Sequence, residues 1–491
     1  MKRVSVVAKT MVLSSVVAAL LTVTGVLPAQ ADLENERICS AVPPGIDPLV
    51  ANLYYSGSVT NCALNPDEQA GLNEIVDAAI ADYEIPGIVY AIKPLNGDVY
   101  TAARGVANID TGEALEVNDR FRIGSASKTF TGMSALRLIS EGKLAFESTL
   151  DQFVDAEVLS NYPKADITVR MLLSHTSGIN NYTNDIEDWF FPYIEDRTRV
   201  WTDEELVGLV NEKFDSPQMG QLFTPGAGWF YSNTNTVLLG MVVESITGKT
   251  IGSYITEQFI EPLGLTNTYY PVPGEYQITG EHTEGYMDWA NFTGQPSLPS
   301  GLTNVTEYDP SGVGAAGPMV STVRDLAIWM ESIGNDTTLI GDLLRGHIDW
   351  RYYVSFSSSQ PGESSGSYGM NLAHEPSYNN NANYWIVGHR GQISGFDTAM
   401  MYMPDQALSI VVVCNRSLAF QDDWPTNAAT AAMNNMIGFL YPNLIAESQI
   451  GASRRASKST DVQKSERARV PDSFPRAFPL NEYPARGFSG R

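Results

Sequence analysis

The sequence predicts a mixed α/β fold of the α+β type, in which an antiparallel five-stranded sheet is flanked by helices and carries a mostly helical inserted subdomain. Strand-like patterns occur early in the chain and again late, whereas helical periodicity dominates the stretch between them. The chain has 491 residues, of which 43% are hydrophobic, so it can bury a large core and is not disordered throughout. A sheet assembled from both ends of the chain, with the middle forming a helical layer, is the simplest arrangement of these elements.

The first 31 residues have the pattern of a secretory signal peptide. Three basic residues lie among the first nine, an apolar run covers residues 11–27, and Ala29-Gln30-Ala31 has the small-x-small pattern of a cleavage site. The alternative is an uncleaved membrane anchor. Four Ser and Thr residues interrupt the run, and acidic rather than basic residues follow it, which disfavours an anchor. We therefore expect a secreted or periplasmic protein that is soluble after cleavage.

The cysteines fit an exported protein. Cys39 and Cys62 flank a Pro- and Gly-rich N-terminal extension, residues 32–66, and are candidates for a disulfide in an oxidising compartment. Cys414 ends a strongly apolar run. It is therefore expected to be a buried free thiol on a strand.

The predicted elements follow in order along the chain. Apolar residues recur at helical spacing from residue 67 to 83 and from 125 to 142, and again in segments 168–174, 235–246, 322–333 and 427–440. The five predicted strands are residues 88–92, 99–106, 384–388, 395–403 and 407–413. The predicted α/β domain therefore comprises residues 67–142 and 311–442, and the helical subdomain residues 143–310.

Charge is distributed unevenly. Residues 32–450 contain 19 basic and 52 acidic residues, a net charge of −33, whereas residues 451–491 carry a net charge of +5. A body this acidic repels phosphate backbones, which excludes nucleic acid as a partner of the folded part. Residues 443–491 have no apolar period and are predicted to be a disordered basic tail. The tail is a candidate for weak contact with an anionic cell surface.

The main catalytic candidate is Ser125 with Lys128 one turn later. A serine at a helix start presents an unpaired backbone N–H, which suits half of an oxyanion hole. A lysine three residues on lies on the same face, and in a dry cleft its amine can accept the serine proton. A second S-x-x-K, Ser140 to Lys143, lies at a helix C-terminus, where the dipole has the wrong sign for an oxyanion.

Two further motifs accompany this pair. Tyr231-Ser232-Asn233 is a Y-x-N motif on a short turn between Pro225-Gly226 and an apolar helix, whereas the other three Y-x-N matches lie in polar loops or at the tail boundary. His389-Arg390-Gly391 is an H-x-G motif predicted to follow a strand, where Gly391 would let a substrate lie close to the backbone.

In this order, the three motifs resemble the serine D-Ala-D-Ala carboxypeptidase and class C β-lactamase family, with its β-lactamase/transpeptidase-like fold. The similarity extends over residues 67–440 and includes segments 172–179, 225–248 and 315–322. It implies that Ser125 attacks a carbonyl to form an acyl-enzyme, while Lys128 and Tyr231 share the proton transfers. It also implies that Asn233 orients the substrate and that the N–H groups of Ser125 and Gln392 form the oxyanion hole.

The third motif departs from the family pattern. Arg390 stands where β-lactamases have the Thr of K-T-G and carboxypeptidases often the Thr of H-T-G. Two interpretations stay open. Arg390 binds a substrate carboxylate by a bidentate contact, or it points away and leaves a different pocket.

Other chemistries receive little support. A G-x-S-x-G pattern at residues 362–366 lies in a polar loop rather than between a strand and a helix, so a hydrolase elbow centred on Ser364 is disfavoured. The sequence has no H-E-x-x-H, paired C-x-x-C or phosphate-binding loop, and we predict neither a metal nor another cofactor.

The resemblance implies a serine hydrolase, and the motifs favour a peptidoglycan D-alanyl-D-alanine carboxypeptidase. A β-lactamase is second and an esterase or D-amino-acid amidase third, with a non-catalytic binding protein as a remote alternative. The expected partner is a small peptide, ester or β-lactam substrate.

Overall fold

A large antiparallel sheet forms the centre of the protein. The computed structural model describes residues 64–95, 97–290, 300–335, 354–356, 366–376, 385–403, 406–418, 428–442 and 478–479, all within the unit Ser40–Arg491. Within these residues the sheet has nine strands in the order β3-β2-β1-β14-β13-β12-β11-β10-β9. The strands are β1 (Gly87–Pro94), β2 (Tyr100–Asn108), β3 (Glu113–Ala114), β9 (Val354–Phe356), β10 (Gly366–Gly369), β11 (Leu372–Pro376), β12 (Trp385–Ile393), β13 (Phe396–Met403) and β14 (Leu408–Cys414).

The mixed α/β prediction is confirmed, but the number of strands was wrong. The five predicted strands correspond to β1, β2, β12, β13 and β14, which pair in the middle of the sheet. The four additional strands have two to five residues each. Strands this short carry too little apolar alternation to be recognised from sequence, and they form because β2 and β12 offer them a pairing edge.

Helices cover both faces of the sheet. Helices α1 (Pro66–Asp82) and α10 (Ala428–Leu440) share one hydrophobic cluster with Ile88, Tyr90 and Ile92 of β1. Val89 and Ala91 alternate to the other face, where they join the cluster that includes α2 (Lys128–Ser140) and α9 (Val323–Asn335). The nucleophile candidates therefore lie on the α2 face.

The stretch between the two halves of the sheet is mainly helical. Its α-helices are α3 (Val169–Ser174), α4 (Phe191–Glu195), α5 (Asp203–Glu212), α6 (Asn233–Thr247), α7 (Ile251–Ile255) and α8 (Glu261–Leu263). Short strands outside the large sheet pair with one another. Strand β4 (Phe121–Arg122) pairs with β8 (Val320–Ser321), and β5 (Gly228–Trp229) pairs with β16 (Phe478–Pro479). Strand β6 (Tyr286–Met287) pairs with both β7 (Thr303–Asn304) and β15 (Arg416–Ser417). The proposed division into α/β domain and helical subdomain stays a prediction.

Two local expectations were wrong. The segment 179–200, in which no helix was predicted, contains a π-helical turn at Ile186–Phe190 and then α4. The H-x-G motif lies inside β12 rather than after the strand. In both cases tertiary packing extends structure into residues whose own pattern is weak.

Several other predictions concern residues outside the described ranges. These are the signal peptide, the extension as far as residue 63 with its two cysteines, and most of the tail. Within the tail, only Phe478 and Pro479 are described, and they form β16; the disorder predicted for the tail stays a prediction. Cys414 is confirmed as a buried free thiol on β14. None of the described helices is both long and apolar enough to cross a membrane.

Candidate active site

Ser125 and Lys128 meet at the start of the nucleophile helix. Residues Gly124–Ser127 form a single 3₁₀ turn, and α2 begins at Lys128, three residues later than Ser125. The Nζ atom of Lys128 lies 2.9 Å from Ser125 Oγ and 2.8 Å from the carbonyl oxygen of Ala316. The predicted pair is therefore within hydrogen-bonding distance.

Burial controls the protonation of Lys128. The side chain has no exposed surface, and in the described part of the chain it forms no ion pair. Desolvation lowers the pKa of Lys128 well below its ordinary value. A neutral amine can donate one N–H to Ala316 and accept the hydroxyl proton of Ser125 with its lone pair, as a general base requires.

Tyr231 completes a group of three. Its hydroxyl is buried, and the Lys128 Nζ lies 5.1 Å from the centre of its ring. Burial raises the pKa of Tyr231, whereas a hydrogen bond with Ser125 lowers it by less. The phenol therefore stays protonated at neutral pH and can pass a proton to a leaving group on Ser125.

Asn233, the first residue of α6, is held by the neighbouring loop. Its Nδ2 donates to Thr183 Oγ1 at 3.1 Å, and its backbone N–H donates to Asn181 Oδ1 at 3.1 Å. The hydroxyl of Ser232 in turn donates to the Asn180 carbonyl at 2.9 Å. Asn180, Asn181 and Thr183 of this loop therefore fix the Y-x-N turn.

Strand β12 passes directly against the Ser125 turn. A Cβ on Gly391 would overlap the Ile123 carbonyl oxygen, and a Cβ on Gly124 would lie 3.0 Å from the backbone nitrogen of Gln392. Gly124 also has a φ of +53°, which favours glycine. The Ser125 turn and the backbone around Gln392 are therefore in close contact, as the predicted oxyanion hole of the Ser125 and Gln392 N–H groups requires.

The side chains of β12 alternate between the two faces. His389 and Gly391 face the α2 side, whereas Arg390 and Gln392 face α10. Arg390 Nε donates to Thr430 Oγ1 of α10 at 3.0 Å. Gln392 Nε2 donates to Asp397 Oδ1 at 3.0 Å and to the Leu418 carbonyl at 2.8 Å. Of the two interpretations of Arg390, the structure favours the one in which it points away from the cleft.

His389 is buried and neutral. Desolvation and then the charge of Lys128 lower the pKa of His389 to about 3, despite an opposing hydrogen bond to the Arg390 backbone. Its Nε2 lies 2.9 Å from the hydroxyl of Tyr368 on β10. The histidine of the H-x-G motif therefore brings no positive charge to the site near neutral pH.

Two aromatic residues at the site were not identified as functional from the sequence. His175 follows α3 in a left-handed conformation, with a φ of 57°. Its ring lies 4.6 Å from that of Tyr231 and 4.7 Å from that of Tyr368. The one sequence signal that pointed to His175 was its position in segment 172–179, which resembles the family. No signal pointed to Tyr368, because it lies among polar residues without any periodic pattern.

The structure thus brings together Ser125, Lys128, Tyr231, His389 and Gly391, with Asn233 on the turn beside Tyr231. It turns the side chains of Arg390 and Gln392 away. The second S-x-x-K does not form such a pair, because Lys143 Nζ lies 2.9 Å from Glu141 Oε2. The G-x-S-x-G pattern falls on residues outside the described ranges, apart from Gly366 at the start of β10.

Comparison with known proteins identifies the family. A family model described as Beta-lactamase matches residues 72–432. This chain belongs to the β-lactamase family. The match spans the nucleophile turn, the Y-x-N turn and strand β12. The chain therefore has the β-lactamase fold and is similar in sequence to a penicillin-binding protein and to a D-stereospecific amidohydrolase.

Two relatives are known from their sequences. Penicillin-binding protein 4* of Bacillus subtilis (strain 168) is 30% identical over 188 residues, 38% of this chain and 38% of that protein. Protein flp of Staphylococcus aureus (strain COL) is 24% identical over 367 residues, 72% of this chain and 64% of that protein. The chain thus matches less than two thirds of the length of either relative.

Two relatives are known from solved structures. A D-stereospecific amidohydrolase from Streptomyces is 28% identical, with a TM-score of 0.61 over 77% of this chain and 99% of that one. The D-amino acid amidase from Ochrobactrum anthropi, complexed with D-phenylalanine, is 21% identical, with a TM-score of 0.63 over 77% of this chain and 99% of that one. The second of these similarities concerns the fold alone.

Proposed function

We propose that this protein is a serine amidohydrolase that cleaves amides of D-configured residues whose leaving group carries no charge. The reaction proceeds through an acyl-enzyme on Ser125. The observation that carries the proposal is the 2.9 Å separation between Ser125 Oγ and the Nζ atom of Lys128, whose side chain has no exposed surface. A buried lysine in contact with a serine hydroxyl is the arrangement that makes serine nucleophilic near neutral pH.

The proposed reaction has two halves. In the first, Ser125 Oγ bonds to the substrate carbonyl carbon while its proton passes to Lys128, and the N–H groups of Ser125 and Gln392 bind the oxyanion. The C–N bond then breaks, and the departing nitrogen takes a proton through Tyr231. In the second half, water attacks the ester with the Lys128–Tyr231 pair as base, which releases the acid and restores Ser125.

The third motif, His389-Arg390-Gly391, supports a substrate whose leaving group carries no charge. A carboxypeptidase must bind the carboxylate of the residue it releases, and a cation is the usual partner for such a group. Here Arg390 donates to Thr430 on the far face of β12, and His389 is neutral. The D-configuration is supported by the 28% identity to a D-stereospecific amidohydrolase.

A D-alanyl-D-alanine carboxypeptidase acting on peptidoglycan peptides is the second candidate. It is favoured by the H-x-G motif and by the 30% identity to penicillin-binding protein 4*. In that case the substrate carboxylate would be bound by backbone N–H groups and hydroxyls instead of a cation.

Export and partners belong to the same proposal. The pattern in residues 1–31 supports a cleavable signal peptide, and the −33 charge of residues 32–450 supports a small-molecule substrate rather than nucleic acid. N-terminal sequencing of the protein recovered from culture medium or periplasm tests the export proposal. A mature chain that begins at Asp32 is the expected result, and an intact Met1 in the membrane fraction would overturn it.

The decisive experiment measures hydrolysis of D-phenylalanine amide, L-phenylalanine amide and D-Ala-D-Ala by the wild type and by Ser125→Ala. The matched control is Ser140→Ala, which removes the serine of the other S-x-x-K. We expect the wild type and the control to prefer the D-amide, and Ser125→Ala to lose about 10⁴-fold or more in kcat. Preference for D-Ala-D-Ala would move the proposal to the second candidate.

A parallel incubation with benzylpenicillin, followed by intact-mass measurement, reports on the nucleophile without a turnover substrate. A mass increase equal to the drug in the wild type but not in Ser125→Ala supports Ser125. Rapid loss of the drug from solution without a lasting adduct would indicate a β-lactamase instead. Amide hydrolysis that survives in Ser125→Ala would overturn the proposal.

A further inference from the structure

A tyrosine on one of the added strands reaches the active site. Tyr368 of β10 is 4% exposed, and its hydroxyl lies 2.9 Å from His389 Nε2. Strand β10 pairs with β11, which pairs with β12, so Tyr368 comes from two strands away. This contact links the edge of the sheet to the H-x-G motif.

The hydrogen bonds of His389 determine its tautomer. Its Nδ1 contacts the backbone carbonyl oxygen of Arg390. A carbonyl oxygen only accepts, so Nδ1 must carry the proton and Nε2 must hold the lone pair. The Tyr368 hydroxyl therefore donates to Nε2, and both ring nitrogens of His389 are occupied by protein groups.

The ring of Tyr368 also supports the proton-transfer residues. It lies 4.7 Å from the His175 ring and meets the Tyr231 ring edge-on at 6.1 Å. His175 Nδ1 lies 3.1 Å from Asn235 Nδ2. An amide nitrogen only donates, so this contact fixes the opposite tautomer in His175. The side chain of Tyr368 thus lies between His175 and His389, which carry their protons on different ring nitrogens. It also borders Tyr231, the proposed proton donor.

We propose that Tyr368 is a positioning residue that holds His389 as a neutral imidazole with both nitrogens occupied, and that it thereby makes the site reject substrates with a carboxylate beside the scissile bond. The part concerning substrates rests on the proposed function, whereas the part concerning His389 does not. Without the Tyr368 hydroxyl, Nε2 would be open to a proton, and an imidazolium there would attract a carboxylate.

Several groups packed around His389 affect the free energy of protonating its ring. Lys128 on α2 and Arg390 on β12 both disfavour the charged ring, and burial adds to their effect. His175, in the turn after α3, and Tyr231, in the turn before α6, face the same space. The hydrogen bond from Tyr368 stabilises the neutral form, so its removal raises the pKa of His389.

Nitrogen-15 NMR of protein labelled at histidine tests the proposal directly. The chain has five histidines, and the signals missing from His389→Gln identify His389. In the wild type we expect the Nδ1–H tautomer and no titration of His389 above pH 5. In Tyr368→Phe we expect the Nε2 resonance to move and the pKa of His389 to rise by about one unit, whereas the matched control Tyr254→Phe changes neither.

Kinetics gives the second measurement. We expect Tyr368→Phe to lower kcat/KM for the neutral amide about tenfold, the cost of one buried hydrogen bond. We also expect the ratio of carboxylate-bearing to neutral substrate hydrolysed by Tyr368→Phe to rise below about pH 5, where His389 of the variant begins to gain a proton. Tyr254→Phe should behave as the wild type in both respects.

The outcomes separate the two proposals. A His389 spectrum and titration unchanged by Tyr368→Phe would overturn the positioning role. So would a wild-type His389 that carries its proton on Nε2, a result available even if the variant does not fold. Activity that survives in Ser125→Ala, together with the expected His389 spectrum, would overturn the proposed function and leave the positioning of His389 intact.

Discussion

Gly391 has no room for a side chain, because a Cβ at that position would overlap the carbonyl oxygen of Ile123 and lie 3.2 Å from the backbone nitrogen of Ala126. The third motif and the turn that carries Ser125 are therefore in backbone contact. The H-x-G glycine is required by this contact between two protein segments, and the nearby N–H of Gln392 owes its position to it.

Replacing Gly391 with alanine should push β12 away from the Ser125 turn. We expect Gly391→Ala to lower kcat at least about 100-fold, as loss of an oxyanion donor does, and to cost about 1–3 kcal/mol of stability through overpacking. The control is Gly208→Ala in α5, where a Cβ meets nothing within 4 Å; helix propensity should stabilise that variant by up to about 1 kcal/mol. Steady-state kinetics and urea unfolding measure both effects, and normal activity in Gly391→Ala would contradict the contact.

Lys128→Met should be inactive and more stable than the wild type. Between the lowered pKa of Lys128 in the folded protein and its ordinary value of 10.5, the unfolded chain binds one proton more than the native state. The stability of the wild type therefore rises with pH across this interval. We expect Lys128→Met to gain ~1–3 kcal/mol at pH 7, by analogy with other buried charges, and the gain to shrink towards pH 10.

Urea unfolding at pH 7, 8.5 and 10 tests this prediction. The control is Lys143→Met, whose lysine pairs with Glu141 on the surface and whose effect should stay within about 0.5 kcal/mol. A Lys128→Met variant that is less stable than the wild type at pH 7 would show that Lys128 is a charged structural group.

Tyr231→Phe should lower catalytic activity without lowering the stability of the protein. The ring stays in place against His175 and Lys128, so we expect little change in unfolding temperature or KM. Loss of the hydroxyl removes a proton-transfer group and should lower kcat by about 10²–10⁴-fold. Tyr402→Phe, a buried tyrosine on β13, serves as the matched control. Equal kcat values for the two variants would assign the proton transfers to Lys128 alone.

Asp397→Asn should stabilise the protein above neutral pH. Burial raises the pKa of Asp397 to about 7, although a hydrogen bond from Gln392 opposes the shift. Between its ordinary pKa and 7, the native state binds the extra proton. The wild type therefore loses stability as pH rises through this interval, by on the order of 1 kcal/mol per pH unit.

Asparagine at position 397 keeps the oxygen that accepts from Gln392 and does not ionise. We expect the gain from Asp397→Asn to be largest at pH 8 and to vanish near pH 4, as measured by thermal unfolding at both values. Asp151→Asn, a surface substitution, should change little at either pH. A constant difference between pH 4 and pH 8 would mean that Asp397 does not titrate in this range.

The sequence predicted the centre of the sheet and the Ser125–Lys128 pair because both depend on local pattern. The run of residues around Val411 and Val412 is so apolar that a buried central strand is expected there, whichever strands lie beside it. The separation of three residues brings Ser125 and Lys128 together on any helical turn. Helix α5 was also predictable, because Thr202 and Glu205 form a capping box that a search for T-x-x-E would find.

The rest of the site depends on contacts between distant segments. Tyr368 lies in a sequence of Gly and Ser without alternation, and it becomes part of the site only through pairing with β11. The left-handed backbone of His175 is unusual for a residue other than glycine, and no sequence pattern marked it. The direction of Arg390 was available from strand alternation, but only once the motif was known to lie inside β12.

The large sheet separates two properties of the site, bond breaking and charge preference. The reactive groups Ser125, Lys128 and Tyr231 belong to helix starts and turns of the central body, whereas the residue proposed to set charge preference, Tyr368, belongs to short strands added at the edge. Substitutions in the edge strands can therefore change which molecules are accepted at a smaller cost in activity than substitutions of Ser125, Lys128 or Tyr231. Such a division gives evolution, and protein engineers, a separate route to new substrates.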